Sequence, residues 1–82
     1  MEIKTKAIYK HFKGDLYFVE DIAVHSETRE KLVIYRALYG AAELFARPYG
    51  MFCEKVDKVK YPDATQEYRF ELQNIKSFKR DK

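Results

Sequence analysis

The sequence predicts a mainly β domain, built from about five short antiparallel strands in one strongly curved sheet. Runs rich in Val, Ile, Tyr and Phe, which favour strands, recur along the chain and are separated by Gly, Pro and polar turn signals. The chain has 82 residues, of which 7 are Tyr and 6 are Phe, enough for one domain with a largely aromatic core. We therefore interpret residues 1–82 as a single domain, with a core over about residues 7–75 and a basic tail over residues 76–82.

The first two strands are predicted to form a hairpin. Residues 7–12 alternate well enough for a strand, and residues 13–15, Lys-Gly-Asp, supply a turn. A second, longer strand is predicted over residues 16–24, where Glu20 and Asp21 interrupt the apolar alternation. This interruption predicts a β-bulge, which bends a strand and lets a small sheet curl.

A polar connection over residues 25–30 leads into a third strand, predicted over residues 31–39. An amphipathic helix over residues 30–46 is the competing interpretation, because this stretch contains several good helix formers. The β-favouring run at residues 33–35, the glycine at Gly40 and the lack of a capping box favour the strand.

The rest of the chain alternates short strands with turn signals. Residues 40–43 are predicted to form a turn, residues 44–47 a fourth strand, and Pro48 to Gly50 a sharp stop. A single helical turn is predicted over residues 51–56, followed by a polar loop over residues 57–66.

The last strand is predicted over residues 67–75, where the alternation is the most regular in the chain. Tyr68, Phe70 and Leu72 fall on one face, and polar residues fall on the other. This pattern is typical of a strand with one buried face.

Composition excludes several classes of protein. No apolar run approaches the ~20 residues needed to cross a bilayer, and the start of the chain lacks the apolar centre of a secretory signal. A cytoplasmic location without a membrane partner is therefore expected. Cys53 is the single cysteine, which excludes an intrachain disulfide and a paired-cysteine metal site. His11 and His25 lack further ligands at metal-binding spacing, so neither a metal nor another cofactor is predicted.

The net charge of +3 is unevenly distributed. Residues 1–14 carry a net charge of +3, residues 76–82 also carry +3, and the middle of the chain carries −3. Two basic ends would form an anion-binding stripe if both lie on one face of the domain. The alternative is that both ends are ordinary solvated termini.

The polar loop between the second and third strands is a candidate binding site. It places an imidazole, a carboxylate and two hydroxyls at one end of the sheet, where side chains of the following strands could converge. The predicted ligand-binding residues are His25, Ser26, Glu27, Thr28, Tyr35, Tyr39 and Arg47. The alternative is a self-satisfying turn, in which the hydroxyls bond local backbone groups and Glu27 pairs with Arg29 or Arg47.

The same loop also permits an enzymatic alternative. His25 and Glu27 would act as a general acid and base pair, and Arg47 would hold an anionic group. The sequence contains neither a nucleophile elbow nor a Gly-rich phosphate loop. No catalytic residue is therefore assigned, and a noncatalytic function is the first choice.

Aromatic and basic residues are interleaved, most densely over residues 9–13. This pattern suits stacking on unpaired bases beside phosphate-neutralising charges, although a thin sheet with aromatics inside and charges outside shows the same spacing. The first choice is a binding module for nucleic acid, with RNA as the leading ligand, or for an anionic small molecule. The alternative partner is a protein or a second copy of this chain.

Several blocks of residues together resemble a small prokaryotic family of domains of unknown function, number 1653. The blocks are Tyr9-x-His11-Phe12-Lys13-Gly14-x-x-Tyr17-x-Val19, His25-Ser26-Glu27-Thr28, Val33-x-Tyr35-x-Ala37-Leu38-Tyr39-Gly40 and Arg47-Pro48-x-x-Met51-Phe52-x-Glu54-Lys55-Val56. The resemblance covers about residues 8–72 and implies an SH3-like small barrel, with a short helical turn near Met51 that leads to the last strand. It implies no activity. The chain differs from the family pattern at Phe45, where a Trp is expected, and at Ala41-Ala42 in the turn.

Overall fold

A computed structural model describes residues 2–74 as five strands and one short helix. Ile75 and the predicted basic tail over residues 76–82 lie outside the described residues. The elements in chain order are β1 (Ala7–His11), β2 (Leu16–Val24), β3 (Lys31–Ala37), β4 (Leu44–Pro48), α1 (Tyr49–Phe52) and β5 (Phe70–Leu72). The predicted mainly β fold, with five antiparallel strands and one short helical turn, is confirmed.

The five strands form one antiparallel sheet in the order β4-β3-β2-β1-β5. Strands β1 to β4 are a meander of hairpins, and β5 returns to pair with the open side of β1. Within residues 2–74 the sheet does not close into the barrel that the family resemblance implied, because β4 and β5 remain its two edges. Strand β5 has only three residues, and α1 packs against β3 and β4 instead of a further strand.

The predicted bulge lies in the middle of β2. Val19 pairs with Tyr35 and Asp21 pairs with Ile34, so Glu20 is an additional residue in the ladder. The carboxylate of Glu20 accepts a hydrogen bond from Nε of Arg36 at 3.2 Å. The bulge that Glu20 and Asp21 predicted within the apolar run is therefore confirmed.

Strands β1 and β4 each differ by one residue from the predicted bounds, and two other element boundaries differ for local reasons. Strand β3 ends at Ala37 and not at residue 39, because the following turn places Gly40 and Ala42 in the left-handed region, both with φ of 55°. Helix α1 begins at Tyr49 and not at Met51. Pro48 is extended, with φ of −53° and ψ of 138°, and the chain turns immediately after it.

The last strand is shorter than the predicted residues 67–75. Residues 67–69 pair with residues 54–56 and not with β1: the backbone N–H of Val56 donates to the carbonyl of Glu67. Only Phe70–Leu72 joins the main sheet. The alternating segment over residues 67–72 therefore pairs with two different partners, first with residues 54–56 and then with β1. The alternation itself does not indicate which segment each residue pairs with.

The core lies on one face of the sheet, under α1. The largest fully buried side chains are Tyr9, Phe52, Phe70, Val19 and Val33. The rings of Phe52 and Phe70 are stacked, with centroids 4.1 Å apart and an interplanar angle of 8°. The hydroxyl of Tyr9 accepts the backbone N–H of Lys4 at 2.9 Å, which fastens the start of the chain to the core.

Candidate functional site

The predicted polar loop is closed by its own hydrogen bonds. Nδ1 of His25 accepts the backbone N–H groups of Glu27 and Thr28, both at 3.2 Å. The hydroxyl of Thr28 accepts the backbone N–H of Glu30 at 3.2 Å, and the side chains of Ser26 and Glu27 are exposed. These contacts are those expected of a self-satisfying turn.

The loop lies at the opposite end of the β2–β3 hairpin from Tyr39. Val24 pairs with Lys31 beside the loop, whereas Tyr17 pairs with Ala37 at the far end. With a rise of about 3.3 Å per residue, the two ends of β3, Lys31 and Ala37, lie about 20 Å apart, and Tyr39 follows Ala37 in the turn beyond the far end. Within residues 2–74, no hydrogen bond or ion pair joins the loop to the predicted aromatic and cationic partners.

Tyr35 and Arg47 do meet, on neighbouring strands. Nε of Arg47 donates to the hydroxyl of Tyr35 at 2.9 Å, and the guanidinium carbon lies 5.6 Å from the ring centroid of Phe70. Tyr35 is only 4% exposed. This pair therefore connects the edge strand β4 to the aromatic core, while the half-buried Arg47 keeps part of its surface in solvent.

Tyr39 is paired with a residue that the sequence interpretation had not included in the site. Its hydroxyl lies 2.8 Å from that of Tyr17, and the two ring centroids are 5.6 Å apart. Burial raises the pKa of Tyr17, and the hydrogen bond with Tyr39 raises it further. The raised pKa keeps the hydroxyl of Tyr17 neutral, as a donor and acceptor beside the ring of Tyr39, which is 46% exposed.

Tyr39 and Tyr17 begin a continuous series of ring contacts that runs to the other side of β1. Successive ring centroids are separated by 5.6, 6.4, 4.6 and 4.9 Å. We call this the aromatic series: Tyr39, Tyr17, His11, Phe12 and Tyr61. Every member is at least partly exposed. The dense aromatic and basic segment at residues 9–13 signalled its centre, but nothing local signalled Tyr61.

Two lysines flank the Tyr61 end of the aromatic series. Nζ of Lys13 lies 5.3 Å from the ring centroid of Tyr61 and 5.9 Å from that of Phe12. Nζ of Lys60 lies 5.5 Å from the centroid of Tyr61. Ammonium groups at these distances are attracted by the ring faces, which holds two positive charges beside a partly exposed aromatic pair.

Two adjoining cavities lie at this end of the series. The more enclosed one, here the inner cavity, has a volume of 280 Å³ and is lined by Phe12, residues 54–57, Lys60, Tyr61 and Arg69. The outer cavity has a volume of 320 Å³ and shares Phe12, Lys60 and Tyr61 with it. The loop over residues 57–66 forms much of both walls, so its fold decides their shape.

His11, in the middle of the aromatic series, has a pKa that is lower than usual. Burial is the main cause, and the positive charges of Arg69, Lys13 and Arg47 lower the pKa further, against a small opposing effect of Asp15. The folded protein therefore binds a proton at this ring less readily than the unfolded chain does.

We expect the stability of the protein to fall between pH 7.5 and pH 5.5 because of His11. Below the unfolded pKa of about 6.5 the unfolded chain takes up a proton that the folded ring resists, so the loss grows as the pH falls. Urea midpoints at the two pH values, compared with those of His11→Gln, measure this contribution. An equal loss of stability in the variant would contradict the assignment to His11.

No group of three or more His, Cys, Asp or Glu side chains within residues 2–74 is placed to hold a metal ion. In the same part of the chain, no helix has the length and apolar character needed to span a bilayer. What the site does offer is partly exposed aromatic side chains, two ammonium groups and two cavities of about 280 and 320 Å³.

Comparisons with known proteins agree with the resemblance drawn from the sequence. A protein-family model described as a protein of unknown function, DUF1653, matches residues 7–72. The chain is also similar to the crystal structure of a DUF1653 protein from Bordetella bronchiseptica, with 28% identity, a TM-score of 0.73, and a match that covers 93% of this chain and 95% of that one. No curated protein matches the chain. The chain therefore belongs to the DUF1653 family of proteins of unknown function.

Proposed function

We propose that this protein is a noncatalytic binding module for single-stranded RNA. The observation that carries the proposal is the aromatic series with Lys13 and Lys60 at one end. Unpaired bases stack on aromatic side chains, and each stacked base contributes about 1–3 kcal/mol. The lysines would neutralise the adjoining phosphates, so stacking and charge act along one strand of RNA. The proposal includes a cytoplasmic location, where single-stranded RNA is present.

The modest charge of the protein favours a short site that depends on stacking. The net charge is only +3, and the walls of the two cavities contain acidic as well as basic side chains. With about two phosphate contacts, the slope of log K against log salt would be roughly −1.4, since single strands contribute about −0.7 per contact. A steep salt dependence would therefore point to a different binding surface.

We expect backbone amide NMR signals around the aromatic series to shift when a U-rich RNA decamer is added. The titration is made with the labelled full chain at low and at physiological salt, so that signals outside residues 2–74 are read as well. Lys76, Lys79 and Arg80 belong to the basic tail, which would form an anion-binding stripe with residues 1–14 if both ends lie on one face, and they are tested in this way. An unchanged spectrum at both salt concentrations would overturn the proposal.

The variant Tyr61→Leu sharpens the same test. Loss of one stacking platform should weaken RNA binding about tenfold, which corresponds to about 1.4 kcal/mol. Phe18→Leu is the matched control, because Phe18 alternates with Tyr17 and lies on the other face of β2, where it pairs with Ile8 and Arg36. Its affinity should stay within about twofold of that of the original protein. Equal losses in the two variants would mean that the aromatic series is not the binding surface.

A protein-interaction module is the second candidate function. Leu38 is 46% exposed and Leu44 is 48% exposed, and they flank the turn between β3 and β4. Sedimentation of the protein over a range of concentrations would detect self-association through this apolar end. No comparable observation favours the enzymatic alternative, since Nδ1 of His25 accepts the backbone N–H groups of Glu27 and Thr28 and does not bond the carboxylate of Glu27.

A further inference from the structure

We propose that the inner cavity is a base-recognition pocket that selects guanine, an inference that rests on the RNA-binding function proposed above. The pocket lies at the Tyr61 end of the aromatic series, where Phe12 and Tyr61 form part of its wall. A base stacked at this end of the series therefore reaches a polar cavity with its edge.

The charge balance of the inner cavity argues against a phosphate as its occupant. Arg69 is paired with Glu54 at 3.3 Å, and Lys55 is paired with Glu67 at 3.3 Å. Lys60 and Asp57 are the remaining charged groups of the wall, one of each sign. A phosphate would meet the carboxylates of Asp57 and Glu54 as well as the cations. A neutral group with both donors and acceptors suits this lining better.

The two carboxylate oxygens of Asp57 have different roles in this inference. Its Oδ1 accepts the backbone N–H groups of Val59 at 3.0 Å and Lys60 at 3.2 Å, which fixes the start of the loop that walls the pocket. Among residues 2–74 the second carboxylate oxygen, Oδ2, has no hydrogen-bond partner, and we assign it to accept from the ligand. Lys60 contributes donors at the same wall, and Nε of Arg69 is a buried donor that has no acceptor among the described residues.

Guanine is the base that matches this set of groups. Its N1–H and exocyclic amino group are adjacent donors that a carboxylate can accept, and its O6 and N7 are acceptors for a lysine or arginine. Adenine and cytosine each have a single exocyclic amino group as donor on that edge, and uracil has a single N–H, so only guanine presents two adjacent donor groups. The volume of 280 Å³ lies just below the roughly 300–1,000 Å³ of pockets for drug-sized ligands and suits a single base.

The test uses fluorescein-labelled RNA decamers of uridine with guanosine, inosine, adenosine or uridine at one central position. Fluorescence anisotropy with the full chain should give an affinity about tenfold higher for the guanosine decamer than for the adenosine and uridine decamers, as expected for one well-placed pair of hydrogen bonds. Inosine lacks the exocyclic amino group, so its decamer should fall between these limits.

The variant Asp57→Asn tests the assigned residue. Asparagine keeps Oδ1 for the two backbone N–H groups but replaces the second oxygen by an amide nitrogen, so the loop is preserved and the acceptor is lost. The ratio of guanosine to uridine affinity should fall to within about twofold of one. Glu30→Gln is the matched control, because Glu30 is an exposed carboxylate at the far hairpin end, and the variant should keep the full ratio.

The outcomes separate this inference from the proposed function. If all four decamers bind with equal affinity, guanine selection is overturned while RNA binding stands. A full guanine preference in Asp57→Asn, with a native amide spectrum, overturns the role of the carboxylate. If no decamer binds, the proposed function fails, and this inference fails with it.

Discussion

Replacing Phe70 by alanine should lower the free energy of unfolding by about 3–5 kcal/mol, the range for loss of a buried Phe side chain. Phe70 is 1% exposed, its ring stacks on Phe52, and Arg47 lies over its face. The cavity left behind would also remove a contact of Tyr35, whose ring centroid is 5.7 Å away. A domain of 82 residues has a total stability of the same order, so the variant should be largely unfolded at 37 °C.

Urea denaturation followed by circular dichroism measures this loss. Leu72→Ala is the matched control, because it removes a large side chain from the same strand at a position that is 45% exposed. We expect the control to lose less than about 1 kcal/mol. A loss in Phe70→Ala as small as that in Leu72→Ala would mean that β5 is not packed onto the core as described.

Replacing Arg47 by methionine should lower the free energy of unfolding by about 2 kcal/mol. The substitution keeps most of the apolar stem but removes the N–H donor 2.9 Å from the hydroxyl of Tyr35, and hydrogen bonds to charged groups contribute about 1.5–3 kcal/mol. Tyr35 is almost fully buried, so its hydroxyl would lose a partner that water does not readily replace. The contact between the guanidinium and the ring of Phe70 would be lost as well.

A double-mutant cycle with Tyr35→Phe isolates the hydrogen bond from the other contacts of Arg47. Tyr35→Phe alone should be destabilising, and adding Arg47→Met to it should cost less than the same change in the original protein, by about 1–2 kcal/mol. Strictly additive effects would show that the two side chains do not interact. In that case Arg47 would be available for ligands in the way that the sequence had suggested.

The strands could be predicted because the pattern that indicates a strand lies within one run of consecutive residues. The run from Leu16 to Val24, the acidic break at Glu20 and the alternation through Val33 and Tyr35 all signal their structure locally, and the structure has them where expected. The open sheet could not be predicted in the same way. Whether a last strand pairs with β1, with residues 54–56 or with β4 is decided by packing between distant segments.

In the candidate site, too, local features could be predicted from the sequence and contacts between distant segments could not. A polar loop such as His25 to Thr28 attracts attention in a sequence, yet short polar residues satisfy their own backbone as readily as they bind a ligand. The contact between Phe12 and Tyr61 joins residues 49 positions apart, and nothing in the segment around Tyr61 signals it. Only the fold brings them together beside two lysines and a cavity.

The open sheet has a consequence for how the protein behaves at high concentration. An exposed strand edge is a template for pairing with another chain and thus for aggregation, a hazard that a closed barrel avoids. Here one edge strand, β5, has three residues, and the other, β4, ends in Arg47 and Pro48. A short edge offers few backbone groups, and a proline or a charge interrupts the ladder that a second chain would need. These two edge strands are therefore poor templates for fibril formation, even though the sheet is not closed.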